Sequence, residues 1–312
     1  MKLQVQVPAS TANLGPAFDC AAIALNLHLR VSVETLPQGF EVSYRGIHKD
    51  RISISDENLV VKAIKLASPS AGSPSVGLHL DVENEIPVGV GLGSSAAAVI
   101  AGLLIGRHLS GAASNPEQIL REALQLENHP DNISAALHGG MVVAATYADD
   151  ESASKHGHNP TRQVRVLRTE VSPDLQFIAV TPDIPLPTEQ SRHVLPDRYS
   201  RPDFVANLQN TALISAAFFS GQRLSPEFFG DRLHQPYRAP LVPGIEACLK
   251  FRHADLAGIF LSGAGSSVMA VAYASTRQIG ESLVEIFRTH GTQGSFSILR
   301  ADNAGAQLRS LD

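Results

Sequence analysis

Between Pro87 and Gly106 the chain reads PVGVGLGSSAAAVIAGLLIG, and the chemistry of that stretch lies mostly in its backbone. Gly89, Gly91 and Gly93 carry no Cβ and can take turns that a side chain forbids, while Ser94 or Ser95 is placed to cap a helix over Ala96 to Leu109. A helix start lined with bare amides attracts anions. No lysine follows the glycines, so the stretch is not a G-x-x-x-x-G-K-[ST] loop, and a bound phosphate would be held by amides, hydroxyls and a metal ion. Gly91, Gly93 and Ala96 also satisfy the dinucleotide fingerprint G-x-G-x-x-A, but that motif needs a following strand ending in an acidic residue about 20 positions on, and here a second helix begins instead. A plain serine-capped connection from strand to helix is the third reading.

The elements that must position this loop are legible in outline. Leu3 to Val7 and Leu27 to Glu34 alternate as half-buried strands, Asn58 to Ala67 is helical, and Val76 to Glu83 is a strand that feeds the loop. Asn115 as cap, Pro116 in the first position and the amphipathic ILREALQLE predict a helix ending near Asn128. HPDNISAALHGG predicts a short helix from Pro130 to the pair Gly139 and Gly140, with Asn132 in its first turn, before the strand MVVAATY. The polar stretch from Ala148 to Arg162 has no periodicity and suggests a boundary, with domains over 1–160 and 161–312. Beyond it, strand 175–181, helix 203–220, strands 258–262 and 268–274, helix 277–289 and strand 295–301 follow in the order β-α-β-β-α-β, a ferredoxin-like arrangement with an insertion.

Composition narrows the class. The 312 residues fit about two domains. A net charge of −5, from 25 basic and 30 acidic residues, provides no broad basic surface for nucleic acid or an anionic membrane. The longest apolar run falls short of a membrane span. Cys20 and Cys248 are the only cysteines, without C-x-x-C spacing, which fits a reducing cytoplasm and no thiolate metal site. Cys20 has no basic neighbour in sequence and reads as a small packed residue; Phe218, Phe219, Phe228 and Phe229 read as core, and His156 with His158 as a chance pair in a polar loop.

The run from Pro87 to Ala97 strongly resembles the P-x-x-x-G-L-G-S-S-A-A signature of the galactokinase, homoserine kinase, mevalonate kinase and phosphomevalonate kinase (GHMP) superfamily. VPASTANLGPAFDCAAIALNL resembles its first motif and LSGAGSSVMA its third, while HPDN, PTEQSRHVLP and DRLHQPYR are similar to the homoserine kinase branch. The likeness runs from Val7 to the closing DNAGA. It implies a two-domain α+β fold, with an N-terminal mixed α/β domain of the ribosomal-protein type and a C-terminal ferredoxin-like domain. It also implies ATP and Mg²⁺ as cofactors, transfer of a phosphoryl group to the hydroxyl of L-homoserine, and a homodimer.

Carried over position by position, the resemblance assigns nucleotide contacts to Pro87, Gly89, Gly91, Leu92, Gly93, Ser94, Ser95, Ala96 and Ala97. Ser95 and Glu127 become the metal ligands, with Glu122 as fallback; taken alone, Glu122 reads as a solvated helix carboxylate paired with a nearby base. Arg192 and Arg238 would grip the substrate carboxylate beside Thr188, and Asp19 with Asn13 the ammonium and neighbouring polar atoms. Without the likeness, N-L-G-P is only a turn with Asn13 satisfying its own backbone. Asn132 and His129 would hold the reacting geometry, because several relatives carry an aspartate base where Asn132 stands and an asparagine cannot take the proton. No dedicated side-chain base is then expected, and Asp131, pointing about 100° away on the helix, reads as a capping group. Ala17, Val90 and Ser266 depart from the commonest wording of the branch. A sister kinase for another alcohol and a nucleotide-binding sensor without turnover are the rival functions.

Overall fold

The computed structural model describes residues 2–68, 77–113, 115–148 and 162–311; His156 and His158 lie outside them. The first part of the chain forms β1 (Lys2–Ala12), β2 (Ala21–Leu36), β3 (Phe40–Gly46), α1 (Leu59–Ala67), β4 (Gly77–Asn84), α2 (Ser94–Leu109), α3 (Pro116–Ala123), α4 (Pro130–His138), β5 (Met141–Ala148) and β6 (Arg162–Thr169). The rest forms β7 (Gln176–Pro182), α5 (Thr188–His193), α6 (Arg201–Ser220), α7 (Gln235–Arg238), α8 (Ile245–Leu249), β8 (Leu256–Leu261), β9 (Val268–Ala272), α9 (Thr276–Thr289), β10 (Gly294–Leu299) and β11 (Gln307–Ser310).

Alternation sets the first sheet. Leu3, Val5 and Val7 of β1 lie opposite Val33, Val31 and Leu29 of β2, and all six are buried on one face. Seven strands join it, in the order β11-β1-β2-β4-β3, with β5 bridging β2 to β6; only β3 and β4 run parallel. Against it lies α2, apolar almost all round and buried along most of its length, as a core helix must be. Gly102 and Gly106 let α1 approach: a Cβ on either would fall 2.4 Å from the Val60 carbonyl oxygen or 2.7 Å from that of Ile64.

The second sheet has the order β10-β7-β9-β8, all antiparallel, which is the ferredoxin-like split read from the sequence. Both of its faces are covered. Along β7, Ile178 and Val180 pack with Leu283 and Phe287 of α9, while Phe177 and Ala179 join the core of the first sheet. The two sheets thus share apolar packing. The division expected at 160/161 does not coincide with them, because β6 extends the first sheet past it and β11 returns to pair with β1. Among the phenylalanines, Phe218 and Phe229 are buried, but Phe219 is 41% exposed and is not core.

Candidate active site

The glycine loop ends where α2 begins, two residues earlier than its alanine run suggested. Ser94 is the first helical residue and Gly93, at φ +71°, is the cap; neither serine caps the helix through its side chain. The choice of glycine is steric, since a Cβ at 93 would lie 2.0 Å from Ser10 Oγ. Gly91, at φ +84°, is wedged as tightly against the Ser262 carbonyl oxygen. The third motif holds this loop in place. Ser262 Oγ donates to the Gly91 carbonyl at 2.6 Å, so the hydroxyl of Thr11, 2.8 Å away, must donate to Ser262. The Ser267 amide donates to the Val90 carbonyl and the Ser10 amide to that of Leu92.

The amides at the start of α2 open into a cavity of about 410 Å³, within the usual range for small-molecule sites. Pro87, Gly89, Leu92, Gly93, Ser94 and Ser95 line it, together with Gly91 and Ala96. Ala97 does not; it is fully buried in the core, because its helical position turns it away from the mouth. Ile52, Leu59, Val88 and Ala98 add an apolar wall that no sequence signal singled out.

Glu127 also lines the cavity and is hydrogen-bonded to Ser95; burial pushes its carboxyl up, and the serine contact pulls it partly back. No ion pair reaches Glu127 among the described residues. Glu122 lies elsewhere: Arg107 Nη1 donates to it at 2.5 Å, so it is the paired helix carboxylate rather than a metal ligand. Among the described residues no cluster of three or more His, Cys, Asp or Glu could hold a metal by protein atoms alone. One carboxylate and one hydroxyl are, however, what a magnesium ion completed by phosphate oxygens and water requires.

At the other end stand the two arginines. Arg192 Nη2 donates to both oxygens of Asp19, at 2.7 and 2.9 Å, while its Nε is buried without a partner. Arg238 is 1% exposed and fixed at three points: Nε donates to the Ser191 carbonyl at 3.1 Å, and Nη1 to Gly263 O and His234 Nδ1, both at 3.2 Å. Its remaining nitrogen, Nη2, has no partner among the described residues. Burial, reinforced by Arg192, lowers its pKa to about 10, which still leaves it charged at neutral pH. The ring of Phe18 lies 5.1 Å from the Arg238 guanidinium and 5.4 Å from that of Arg192, in cation–π contact with both. Thr188, at the start of α5, faces the same space. Asn13 also lines it, in a left-handed conformation at φ +73°; its Nδ2 donates to Gly263 O and its Oδ1 accepts from the Asp19 amide.

Between the two ends sits the first turn of α4. His129 is its N-cap residue and Pro130 its first residue, as the sequence indicated. Burial and the two arginines hold the His129 imidazole below its ordinary pKa, against the pull of Asp19, so it is neutral. Asn132 Oδ1 accepts from Ser10 Oγ at 2.8 Å. Ser10 thus ties the glycine loop to Asn132, a role hidden inside the first motif.

Asp131 does not point away but faces the same cavity, and is 2% exposed; its Oδ1 accepts from the Asn132 amide at 2.7 Å, a first-turn amide, and from Asn132 Nδ2 at 3.4 Å. Burial, and next the carboxylate of Asp19, push its carboxyl from the ordinary 3.8 up to about 7. Stability linked to this group is full below about pH 4 and is lost as pH rises through about 7, because the folded chain keeps a proton that the unfolded one has released. Asp131→Asn removes the titration, so its denaturant midpoint relative to the parent protein should improve between about pH 5 and pH 8; a constant difference across that range would contradict this.

Cys20 is packed, as the sequence suggested, and its thiol is held protonated: burial pushes it up to about 11, with the Asp131 and Asp19 charges adding to the effect.

Comparison with known proteins fits this geometry. Residues 58–140 match the family described as GHMP kinases N terminal domain. The chain is 36% identical over 311 residues to the homoserine kinase of Caldanaerobacter subterraneus subsp. tengcongensis, covering 98% of this chain and 95% of that protein. It belongs to the homoserine kinase family. The homoserine kinase of Desulfitobacterium hafniense is 34% identical, covering 98% of this chain and 99% of its own length. Among solved structures, a homoserine kinase from Cytophaga hutchinsonii shares the fold at a TM-score of 0.81 and 22% identity, covering 99% of this chain and 97% of that one. L. major mevalonate kinase in complex with R-mevalonate superposes at 0.65 with 14% identity, covering 96% of each chain. The homoserine kinase fold is therefore the frame that holds the loop, the asparagine and the arginines around one cavity.

Proposed function

We propose that the chain transfers the γ-phosphoryl group of ATP to the side-chain hydroxyl of L-homoserine. The observation that carries this reading is the division of one cavity into a phosphate end without lysine and an amino-acid end with two guanidinium groups and one carboxylate. Amides from Gly91 to Ser95 cradle the phosphates at the positive end of α2. The apolar wall of Ile52, Leu59 and Val88 suits a flat base. Ser95 and Glu127 are the residues that would hold Mg²⁺, which neutralises charge on the transferring phosphoryl group when bound.

Asp19 and Arg192 pair with each other, and a zwitterion can share that pair without leaving a charge alone. Its ammonium takes Asp19, with Asn13 holding the aspartate's backbone, and its carboxylate takes the open Nη2 of Arg238 and the guanidinium of Arg192. Thr188 closes the same end. The hydroxyl then reaches the γ-phosphate beside Asn132 and His129. With its Oδ1 occupied by Ser10 and one amide hydrogen turned to Asp131 Oδ1 at 3.4 Å, Asn132 has its other amide hydrogen to offer and orients without accepting a proton. The proton leaves with the phosphoryl group or to solvent, and catalysis rests on positioning and charge neutralisation.

ADP release with ATP, Mg²⁺ and a panel of L-homoserine, mevalonate, galactose and shikimate tests the reading. Turnover should be confined to L-homoserine. Turnover with another alcohol would identify a sister kinase, and none with any would favour a sensor.

A second copy of the chain is the partner that fits α6. Phe204, Leu208 and Phe219 stand 41 to 54% exposed along that helix, on one face with Ala212, where two antiparallel copies could cross closely. Sedimentation should give a dimer mass, and Leu208→Glu a monomer; a parent protein that sediments as a monomer would refute the pairing. A nucleotide substrate and two free cysteines fit a cytoplasmic setting. No helix of the described residues is long and apolar enough to cross a membrane.

A further inference from the structure

His234 lies outside the cavity, fully buried, four residues before Arg238 on the turn that enters α7. Its two ring nitrogens face groups of opposite character. Nε2 is 2.7 Å from the Gly15 carbonyl oxygen, which can only accept; Nδ1 is 3.2 Å from Arg238 Nη1, which can only donate. The proton is therefore on Nε2, Nδ1 carries the lone pair, and the ring is neutral. Asp231 does not compete for it. Its nearest oxygen is 3.6 Å from Nε2, beyond hydrogen-bond range, and its carboxylate is taken up by Asn207 Nδ2 and the amides of Leu233, His234 and Gln235. Phe18 stacks on the imidazole at 5.1 Å between centroids and fixes its plane.

We propose that neutral His234 is a positioning residue: it accepts from Arg238 Nη1, turns the open Nη2 toward the amino-acid end of the cavity, and ties that fork to the first-motif loop at Gly15. This rests on the reading above, in which Arg238 takes the substrate carboxylate. With Nε committed to Ser191 O and both Nη1 hydrogens to His234 and Gly263, the guanidinium has one orientation, in which only Nη2 is free. Without the imidazole acceptor, Nη1 loses one of its two anchors and the fork can rotate. His234 touches neither nucleotide nor hydroxyl, so its effect should fall on amino-acid binding rather than on the chemical step.

Two near-isosteres separate positioning from packing. Asn puts an acceptor near Nδ1 and forgoes the Gly15 bond; Gln puts a donor near Nε2 and leaves Arg238 without its acceptor. In steady-state assays of the full chain, His234→Gln should raise KM for L-homoserine by about 10-fold, the scale of one hydrogen bond to a charged group, with KM for ATP and kcat within about 2-fold. His234→Asn should recover most of that loss. Melting curves with and without ATP establish that both variants fold. Equal losses in the two variants, or matched rises in both KM values, would overturn the inference. Arg238→Lys, assayed alongside, separates the two levels: if it leaves KM for L-homoserine unchanged, the functional reading fails and the inference with it; if it raises that KM and His234→Gln does not, only the role of His234 is lost.

Discussion

Arg238→Lys is expected to raise KM for L-homoserine by about 100-fold and to leave KM for ATP within about 2-fold, the scale of lost charge-assisted hydrogen bonds at a buried fork. The reason is geometric before it is electrostatic. The guanidinium points its donors in several fixed directions at once, toward Ser191 O, Gly263 O, His234 Nδ1 and the open cavity. A lysine ammonium sits on one atom and cannot span those acceptors, so buried carbonyl groups would be left unpaired. Burial adds to the damage. It lowers the arginine only to about 10, but the same desolvation acts on a lysine that starts about two units lower. Varying each substrate at saturation of the other measures both constants. Equal effects on the two would mean that Arg238 does not belong to the amino-acid end.

The second large effect is expected at Gly91. An alanine there would put its Cβ 2.1 Å from the Ser262 carbonyl oxygen and 3.0 Å from that of Gly265, both backbone atoms, at φ +84°. Neither neighbour can yield, because the turn at Ser262 is itself tied to the loop through the bond from Ser262 Oγ to the Gly91 carbonyl. Relief requires the loop to move, which displaces the amides that would bind phosphate. Gly91→Ala should weaken ATP binding by at least about 100-fold, equivalent to about 2.7 kcal/mol, and lower the melting temperature. Gly89 is the internal control. It also has a positive φ, of +77°, but the nearest atom to an added Cβ is Pro185 Cβ at 3.9 Å, so Gly89→Ala carries only the conformational cost of about 1–2 kcal/mol. Calorimetric titration with a nonhydrolysable ATP analogue ranks the two; similar losses at both positions would contradict the steric account.

What the sequence disclosed follows the range of the interactions involved. The glycine loop, the proline-led start of α4 and the alternation of β1 and β2 are written within a few residues each, so their signals are local. The ferredoxin-like order was legible for the same reason, because each of its elements carries its own period. β11 was not: four residues at a sheet edge, mostly exposed, have too little pattern to declare a strand. The same holds for α7, which has a single turn with Pro236 in it. The strong preference for Ser at a helix cap points to Ser94 or Ser95 at the start of α2, whereas the close approach of Ser10 that demands Gly93 there spans more than 80 residues.

The candidate site divides in the same way. The residues stand in motifs, whereas the partners that join one motif to another are not written in any of them. Ser10 reaches Asn132 across 122 positions, Ser262 reaches Gly91 across 171, and Arg192 finds Asp19 across 173. The sequence favours Glu127 over Glu122 as metal ligand but sets both on one helix ending near Asn128; the helix ends at Ala123, so Glu122 stays on it and pairs with Arg107, while Glu127 lies beyond it beside Ser95.

A crystal structure of the chain with L-homoserine and a nonhydrolysable ATP analogue is the most direct test of the whole account. It should have phosphates against the amides from Gly91 to Ser95, the amino-acid carboxylate on Arg238 Nη2 and Arg192, the ammonium on Asp19, and the hydroxyl beside Asn132. Nucleotide phosphates bound away from the start of α2, or a carboxylate that meets neither guanidinium, would contradict it.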